Sequence, residues 1–296
     1  GTIRFVLSGY SDRKLVLDAV GLSHQFFAKP CDTENILEAI DYSSSLYAHL
    51  DSVNSQSVVC GINRLPTPPG LYTRMSEELK QPEPSIDSLA NMVREDAAMS
   101  AKVLQVVNSA YFGRSGNISD ITEATMFLGI ENLRSLVLVL GLADRKEFHV
   151  DAGFALESYT NHSIEVGTLS ESIARELSLN RRLCEAAFTA GLLHDVGKPI
   201  LATHFNDRAG AASMLGMDVP DTSRAQDAET MRFGVNHADV GAALLGIWGL
   251  PPLIVNAVAF HHKPELAGDP RPSLAMVVHV ANAFALHEPD ERGPSI

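Results

Sequence analysis

The sequence predicts a mainly α-helical protein whose first fifty residues form a separate, partial α/β (βαβα) piece. Three observations carry that reading. Two short apolar runs near the N-terminus, Ile3–Leu7 and Gln25–Ala28, have the length and content of strands, and each leads into a helical pattern. Beyond residue 62, apolar residues recur at three- and four-residue spacing almost to the C-terminus. Capping residues, glycines and prolines punctuate that spacing where helices should start and stop.

The composition narrows the function classes. Of 296 residues, 45% are hydrophobic and 20% charged, enough apolar surface to exclude disorder for most of the chain. Basic residues number 23 against 36 acidic, a formal charge of −13 that would repel a phosphate backbone, and no Lys/Arg cluster offsets it. No direct nucleic-acid partner is therefore expected. Apolar runs such as Leu136–Leu142 fall short of the roughly 18 residues a membrane span needs, so no membrane insertion is expected. The opening lacks the basic-then-apolar pattern of a secretion signal, which gives an expected cytoplasmic location. Cys31, Cys60 and Cys184 form no CxxC pair and read as reduced, mostly buried thiols. The chain opens with Gly1 almost directly in a strand-like run, the expectation for a fragment of a longer product.

In order, Ile3–Leu7 ends at Ser8–Gly9, and Ser11–Asp12 caps a helix through Leu15, Val16, Ala19 and Val20 to Gly21. Gln25–Ala28 is the second strand. Lys29–Pro30 breaks it, and Asp32 or Thr33 caps a helix through Ile36, Leu37, Ile40 and Leu46. Two strands cannot bury both faces of a parallel sheet, so this piece is half of a larger unit. The strings FVLSGYSD and HQFFAKPCD resemble the C-terminal half of a response-regulator receiver domain over residues 1–50. The resemblance implies that Ser8 is the switch hydroxyl and Lys29 the lysine that pairs with a phosphorylated aspartate. It also implies a sensor histidine kinase as partner of the intact receiver. The acidic cluster and phospho-acceptor aspartate of that family would lie upstream, so the chain as numbered cannot be phosphorylated there.

The Ser/Asn/Gln-rich stretch 51–62 reads as a linker. Leu65-Pro-Thr-Pro-Pro-Gly70 is too proline-dense for a helix interior and reads as a rigid turn. Ser85 caps a helix with Leu89, Met92 and Val93 on one face, and Val103, Leu104, Val106 and Val107 carry the next stripe. Asn108, Ser109 and Tyr111 at its end read as capping groups rather than ligand contacts. A further helix runs from about Thr122 to Leu128 and stops at Gly129, and Glu131–Leu142 is apolar enough to be central to a core. The strings LPTPP, DAAMSAKVLQVVNSAYFG and ITEATMFLGIENL resemble the HDOD domain, an all-helical output module of bacterial signalling proteins. With the second half of the chain the resemblance covers residues 63–288, divided into an N-terminal helical half (63–148) and an HD-like half (149–288), with a tail over 289–296.

The HD-like half holds histidines in a suggestive order: His162 early in an amphipathic helix, then His194–Asp195, His237, and His261–His262 at a helix end. Neighbours on a helix point about 100° apart, so His194 and Asp195 converge on one ion only near a helix end, which Gly197 and Pro199 would supply. Imidazole and carboxylate are suitable donors for iron, manganese or zinc, and the alternative is a set of core histidines with no metal. The order resembles the HD phosphohydrolase superfamily. By that resemblance His162, His194 and Asp195 match ligand positions, and His237, His261 and His262 match the extra histidines of two-metal members such as the HD-GYP phosphodiesterases. Two departures argue against turnover. Asn282 stands where the superfamily's last aspartate belongs, with His279 one turn away as a substitute donor, and no GYP element follows His262. Lys198 is the candidate phosphate contact, its alternative being a solvated lysine near a helix C-terminus. Trp248 reads as a packing anchor.

The expected function is thus that of a response regulator whose HDOD domain acts through contacts with a downstream protein, non-catalytically or with weak catalysis. The alternatives are a metal-dependent phosphohydrolase acting on a nucleotide or cyclic nucleotide, and a nucleotide-sensing pocket without turnover.

Overall fold

The computed structural model describes residues 2–8, 23–48, 50, 53–62, 65–67, 70–109, 118–147, 154–205, 215, 223–268 and 272–286. The helix expected over Ser11–Gly21, the capping role of Tyr111 and the tail 289–296 lie outside them.

Strands β1 (Phe5–Ser8) and β2 (Gln25–Ala28) pair in parallel, with Phe5 opposite Gln25 and Ser8 opposite Ala28. Phe26 and Phe27 are both buried, and Phe27 meets Phe5 edge-on. Asp32 accepts a hydrogen bond from the Glu34 amide (3.0 Å), so Asp32 opens helix α1 (Thr33–Ala48). The stretch read as a linker contains a helix instead, α2 (Val53–Gly61). Its composition is polar at first, but Val58, Val59 and Cys60 bury completely or nearly so, and that burial outweighs the loop-forming Ser and Asn residues before them.

Helices α3 (Leu71–Leu79), α4 (Ile86–Arg94), α5 (Ala97–Asn108), α6 (Ile121–Leu128) and α7 (Ile130–Glu147) follow. Helix α3 was not foreseen in the sequence; it buries Leu71, Met75 and Leu79, one per turn. Ser85, Asp96 and Asp120 each accept the amide three residues on and so fix where α4, α5 and α6 start. Asn108 exchanges two hydrogen bonds with the backbone of Ile118 (2.8 and 3.0 Å), and Ser109 donates to Val106, the local role its sequence position indicated. Leu133, Leu136, Val137 and Leu140 place α7 in the core, although Leu138 is exposed.

The second half comprises α8 (Leu156–Glu176), α9 (Arg181–Leu193), α10 (Gly197–His204), α11 (Ser223–Phe233), α12 (His237–Ile247), α13 (Pro252–Phe260), a short 3-10 turn (Pro264–Leu266) and α14 (Leu274–Ala285). Helices α8 and α9 pack along each other, with α14 and α13 against them. One apolar core runs from Phe26 and Val58 through α3–α7 to Trp248 and Val258, and a smaller one joins α8, α9, α13 and α14. Cys60 and Cys184 are buried and Cys31 half-buried, all three as thiols. No helix among the described residues is long and apolar enough to cross a membrane.

Candidate metal centre

Four helix ends deliver the polar residues of the second half to one place. His162 projects from the second turn of α8, His194 and Asp195 form the turn between α9 and α10, His237 is the first residue of α12, and His261–His262 form the turn after α13. Gly197 and Pro199 do not end the α9 helix, as the sequence indicated; they start α10, and the turn His194–Val196 separates the two helices. That tight turn brings adjacent side chains onto one centre, with His194 Nε2 3.3 Å from Asp195 Oδ2.

Asp195 is the hub. Its Oδ2 faces His194 and, at 4.0 Å, His162 Nε2; its Oδ1 faces His237 Nε2 (3.2 Å) and His261 Nε2 (3.8 Å). His237 Nε2 lies 3.4 Å from His261 Nε2 and 3.1 Å from His262 Nε2. The donors thus form two triads, His162–His194–Asp195 and His237–His261–His262, each with its ligand atoms within 4.8 Å of one another. His194, Asp195, His237 and His261 are 0% exposed, and His162 and His262 are 8% exposed.

The orientation of the rings is set from outside the cluster. His194 Nδ1 lies 2.7 Å from the Gly191 carbonyl and His261 Nδ1 2.7 Å from the Val258 carbonyl, each in the preceding turn. Both contacts require Nδ1 to carry a proton, so Nε2 is the atom each ring turns toward the cluster. His237 is held the same way by Glu229, whose Oε2 lies 2.8 Å from Nδ1 and accepts the His237 amide at 2.8 Å. A carboxylate behind an imidazole raises its basicity and fixes its tautomer, as behind metal-bound histidines. Nε2 atoms converging at 3.1–3.4 Å beside a carboxylate need either a shared proton or a metal cation between them. The donor set therefore fits a divalent ion with nitrogen and oxygen ligands, the iron, manganese or zinc class.

Burial alone would raise the Asp195 carboxyl, but His194 and Lys198 outweigh it and hold the group well below the usual carboxylate range, so it is ionised. Lys198 is neither solvated nor at a helix C-terminus. It is 3% exposed in the first turn of α10, with Nζ 2.6 Å from Asp195 Oδ2. Asn282 is buried on α14, in the place indicated for a carboxylate. His279 does not replace it as a donor: it is exposed, and its Nδ1 holds the His261 carbonyl at 2.7 Å, supporting the histidine turn from behind. Two residues escaped the sequence reading. Glu229 sits on α11 among buried Gln226 and Phe233, an i, i+3, i+7 stripe that was the available signal. Tyr159, one turn before His162, is buried; burial first and then the Asp195 charge push its phenol up, so it stays protonated. The Ser8 and Lys29 pair lies apart in the strand region, where the Lys29 amide donates to the Ser8 carbonyl at 2.7 Å.

Residues 65–264 match the family described as the HDOD domain. This chain belongs to the HDOD family. An uncharacterized protein of Treponema pallidum is 24% identical to it over 233 residues, 76% of this chain and 43% of that protein. Ribonuclease Y of Lactobacillus acidophilus is 29% identical over 213 residues, 71% of this chain and 31% of the enzyme. The chain thus spans less than half the length of either relative. Among solved structures, the MmoQ response regulator of Methylococcus capsulatus superposes with a TM-score of 0.61 at 23% identity, covering 76% of this chain and 87% of that one. A virulence factor of Campylobacter jejuni gives 0.58 at 20% identity over 84% of both chains. At these identities the shared property is the HDOD fold.

Proposed function

We propose that this chain is the output portion of a response regulator in which the HDOD domain signals through protein contacts and holds a divalent metal as a structural or sensing centre, without turnover. The observation that carries the reading is the closure of the site: no donor is more than 8% exposed, and the Lys198 ammonium already sits on the hub carboxylate. Hydrolysis needs an open coordination position and room for a phosphoester. Asn282 in place of a carboxylate also lowers the negative charge available to a hard cation. The receiver-like strand pair with Ser8 and Lys29 supports an upstream partner of the sensor histidine kinase class, and a downstream protein would read the output. His162, His194, Asp195, His237, His261 and His262 would hold the ion, which in an accessible site would supply Lewis acidity.

A second reading is favoured by the two adjacent triads, with Asp195 of one facing His237 and His261 of the other, and by relatives named ribonuclease Y: a metal-dependent hydrolase of a phosphodiester. The two readings separate in one experiment on chain purified without chelator or histidine tag. Metal content is measured, then hydrolysis of bis(p-nitrophenyl) phosphate with added Mn²⁺, for the parent and a His194→Ala/Asp195→Ala variant. Near-stoichiometric metal lost in the variant, with no turnover above it, is the expected result. Turnover that vanishes in the variant would establish the hydrolase, and absence of metal from the parent would remove the centre.

A further inference from the structure

Helix α12 is shared by two interfaces. Its first residue, His237, belongs to the metal centre, and its last turn is covered by the N-terminal segment. Gln25 of β2 donates from Nε2 to the carbonyl of Ile247, the last residue of α12 (3.0 Å). Helix α1 crosses the same turn at Gly246, where a methyl group would overlap Leu46 Cδ1 and lie 3.6 Å from Tyr42 Cε1. At the other end, a methyl group at Gly197 would overlap the His237 carbonyl and lie 2.6 Å from its carbon. Both ends of α12 are therefore in close contact with neighbours, through backbone at Gly197 and through the Leu46 side chain at Gly246. An eleven-residue helix is roughly 16 Å long and shifts as a rigid element, because its hydrogen-bonded turns do not compress.

A buried polar chain ties β2 to the end of α12. The His24 carbonyl accepts from Gln105 Nε2 (2.8 Å), and Gln105 Oε1 accepts from Lys102 Nζ (2.8 Å). That ammonium lies 3.7 Å from the ring centre of Trp248, the residue after α12. Lys102, Gln105, His24 and Trp248 are all 2% exposed or less. A buried ammonium on an indole face holds only while its partners stay in place, so displacement of β2 disturbs Trp248 directly.

We propose that α12 couples docking of the N-terminal β1–β2–α1 segment to the geometry of the histidine–aspartate centre, so that the segment regulates metal binding and metal binding regulates the segment. The inference rests on the metal-centre reading above and adds its regulation. Reciprocity follows from linkage: whatever factor docking adds to metal affinity, metal adds to docking.

Trp248 is the chain's single tryptophan, so its emission reports this interface and no other. The full chain is titrated with Zn²⁺, a d¹⁰ ion without redox chemistry, followed by calorimetry and by Trp248 fluorescence in parallel. Gln25→Ala, which removes one hydrogen bond, and Leu46→Ala, which thins the contact on Gly246, are compared with the parent, and circular dichroism checks that each is folded. The expected result is a Zn²⁺-dependent change in Trp248 emission saturating with the calorimetric curve, and Zn²⁺ affinity about five- to tenfold weaker in Leu46→Ala, with a smaller loss in Gln25→Ala. Zn²⁺ binding to the parent without any Trp248 response, or both folded variants binding within twofold of the parent, would overturn the coupling and leave the centre intact. Failure of the parent to bind Zn²⁺ would overturn the centre and the coupling together.

Discussion

Gly197→Ala is a stringent test of the centre, because the substituted residue is not itself a donor. The new methyl group would lie 2.6 Å from the His237 carbonyl carbon and 2.8 Å from its Cα, and it would overlap the carbonyl oxygen. Ordinary contact begins at 3.4 Å, so relieving the overlap with the carbonyl oxygen requires the first residue of α12 to retreat by roughly 1.5 Å. Metal–ligand distances tolerate only about ±0.2 Å, and the retreat carries His237 Nε2 outside that window. The expected loss in Zn²⁺ affinity is about 10- to 100-fold, comparable to losing a group that orients a ligand. Overpacking adds a stability cost of about 1–3 kcal/mol. Calorimetric titration measures the first and urea unfolding the second. Gly61→Ala, at an exposed helix end with nothing within 4 Å of the new methyl, is the control and should leave Zn²⁺ affinity unchanged and cost no stability. A folded Gly197→Ala protein that binds Zn²⁺ with the parent's affinity would refute the assembly of the centre around the Gly197–His237 contact.

Two further expectations follow from the same geometry. Glu229→Gln keeps the shape behind His237 but removes the charge that fixes its Nδ1 proton, and should weaken Zn²⁺ binding by about tenfold with little change in helix content; an unchanged affinity would mean that Glu229 is only a structural partner. His24 is buried beside the positive charges of Arg4 and Lys102, and burial first, then those charges, lower its pKa to about 4. The folded chain therefore resists its protonation: this contribution to stability is complete above the unfolded pKa of 6.5 and is lost as pH falls toward 4. By pH 5 the loss reaches about 2 kcal/mol, so urea unfolding at pH 7.5 and pH 5 should show the parent losing that much more than His24→Gln. Parallel losses in the two proteins would show that His24 does not titrate across this range.

What could be read from the sequence divides by range. Local signals were sound where the chain's own chemistry decides the structure: Ser85 caps α4, Gly129 closes α6, and the two apolar runs pair as strands. Helix α2 was hidden because its opening Ser and Asn residues look like a joint, while the decisive burial of Val58 and Val59 comes from helices distant in sequence. Helix α3 follows a proline-rich turn and mixes its Leu71–Met75–Leu79 stripe with arginine and glutamate. For the site, the six residues singled out by the order of the histidines are ones that the fold brings together. Their connections were not legible: Asp195 facing both triads, Glu229 reaching His237 across a helix boundary, and Lys198 turned inward are products of how four helix ends meet. Asn282 and His279 differ in depth although one turn apart, because α14 presents only one stripe to α8 and α9.

The family match opens at residue 65, yet the cooperative folding unit does not. Phe26, Leu50, Val58, Val59 and Ile62 belong to the same apolar core as Leu104, Leu244 and Trp248. A chain trimmed to the family boundary would uncover that face and leave Gln105, the partner of Lys102 beside its indole, without the His24 carbonyl. Such a fragment should be prone to self-association through the exposed patch. Homology and thermodynamics thus draw different borders on this chain, and expression, proteolysis and domain exchange will follow the thermodynamic one.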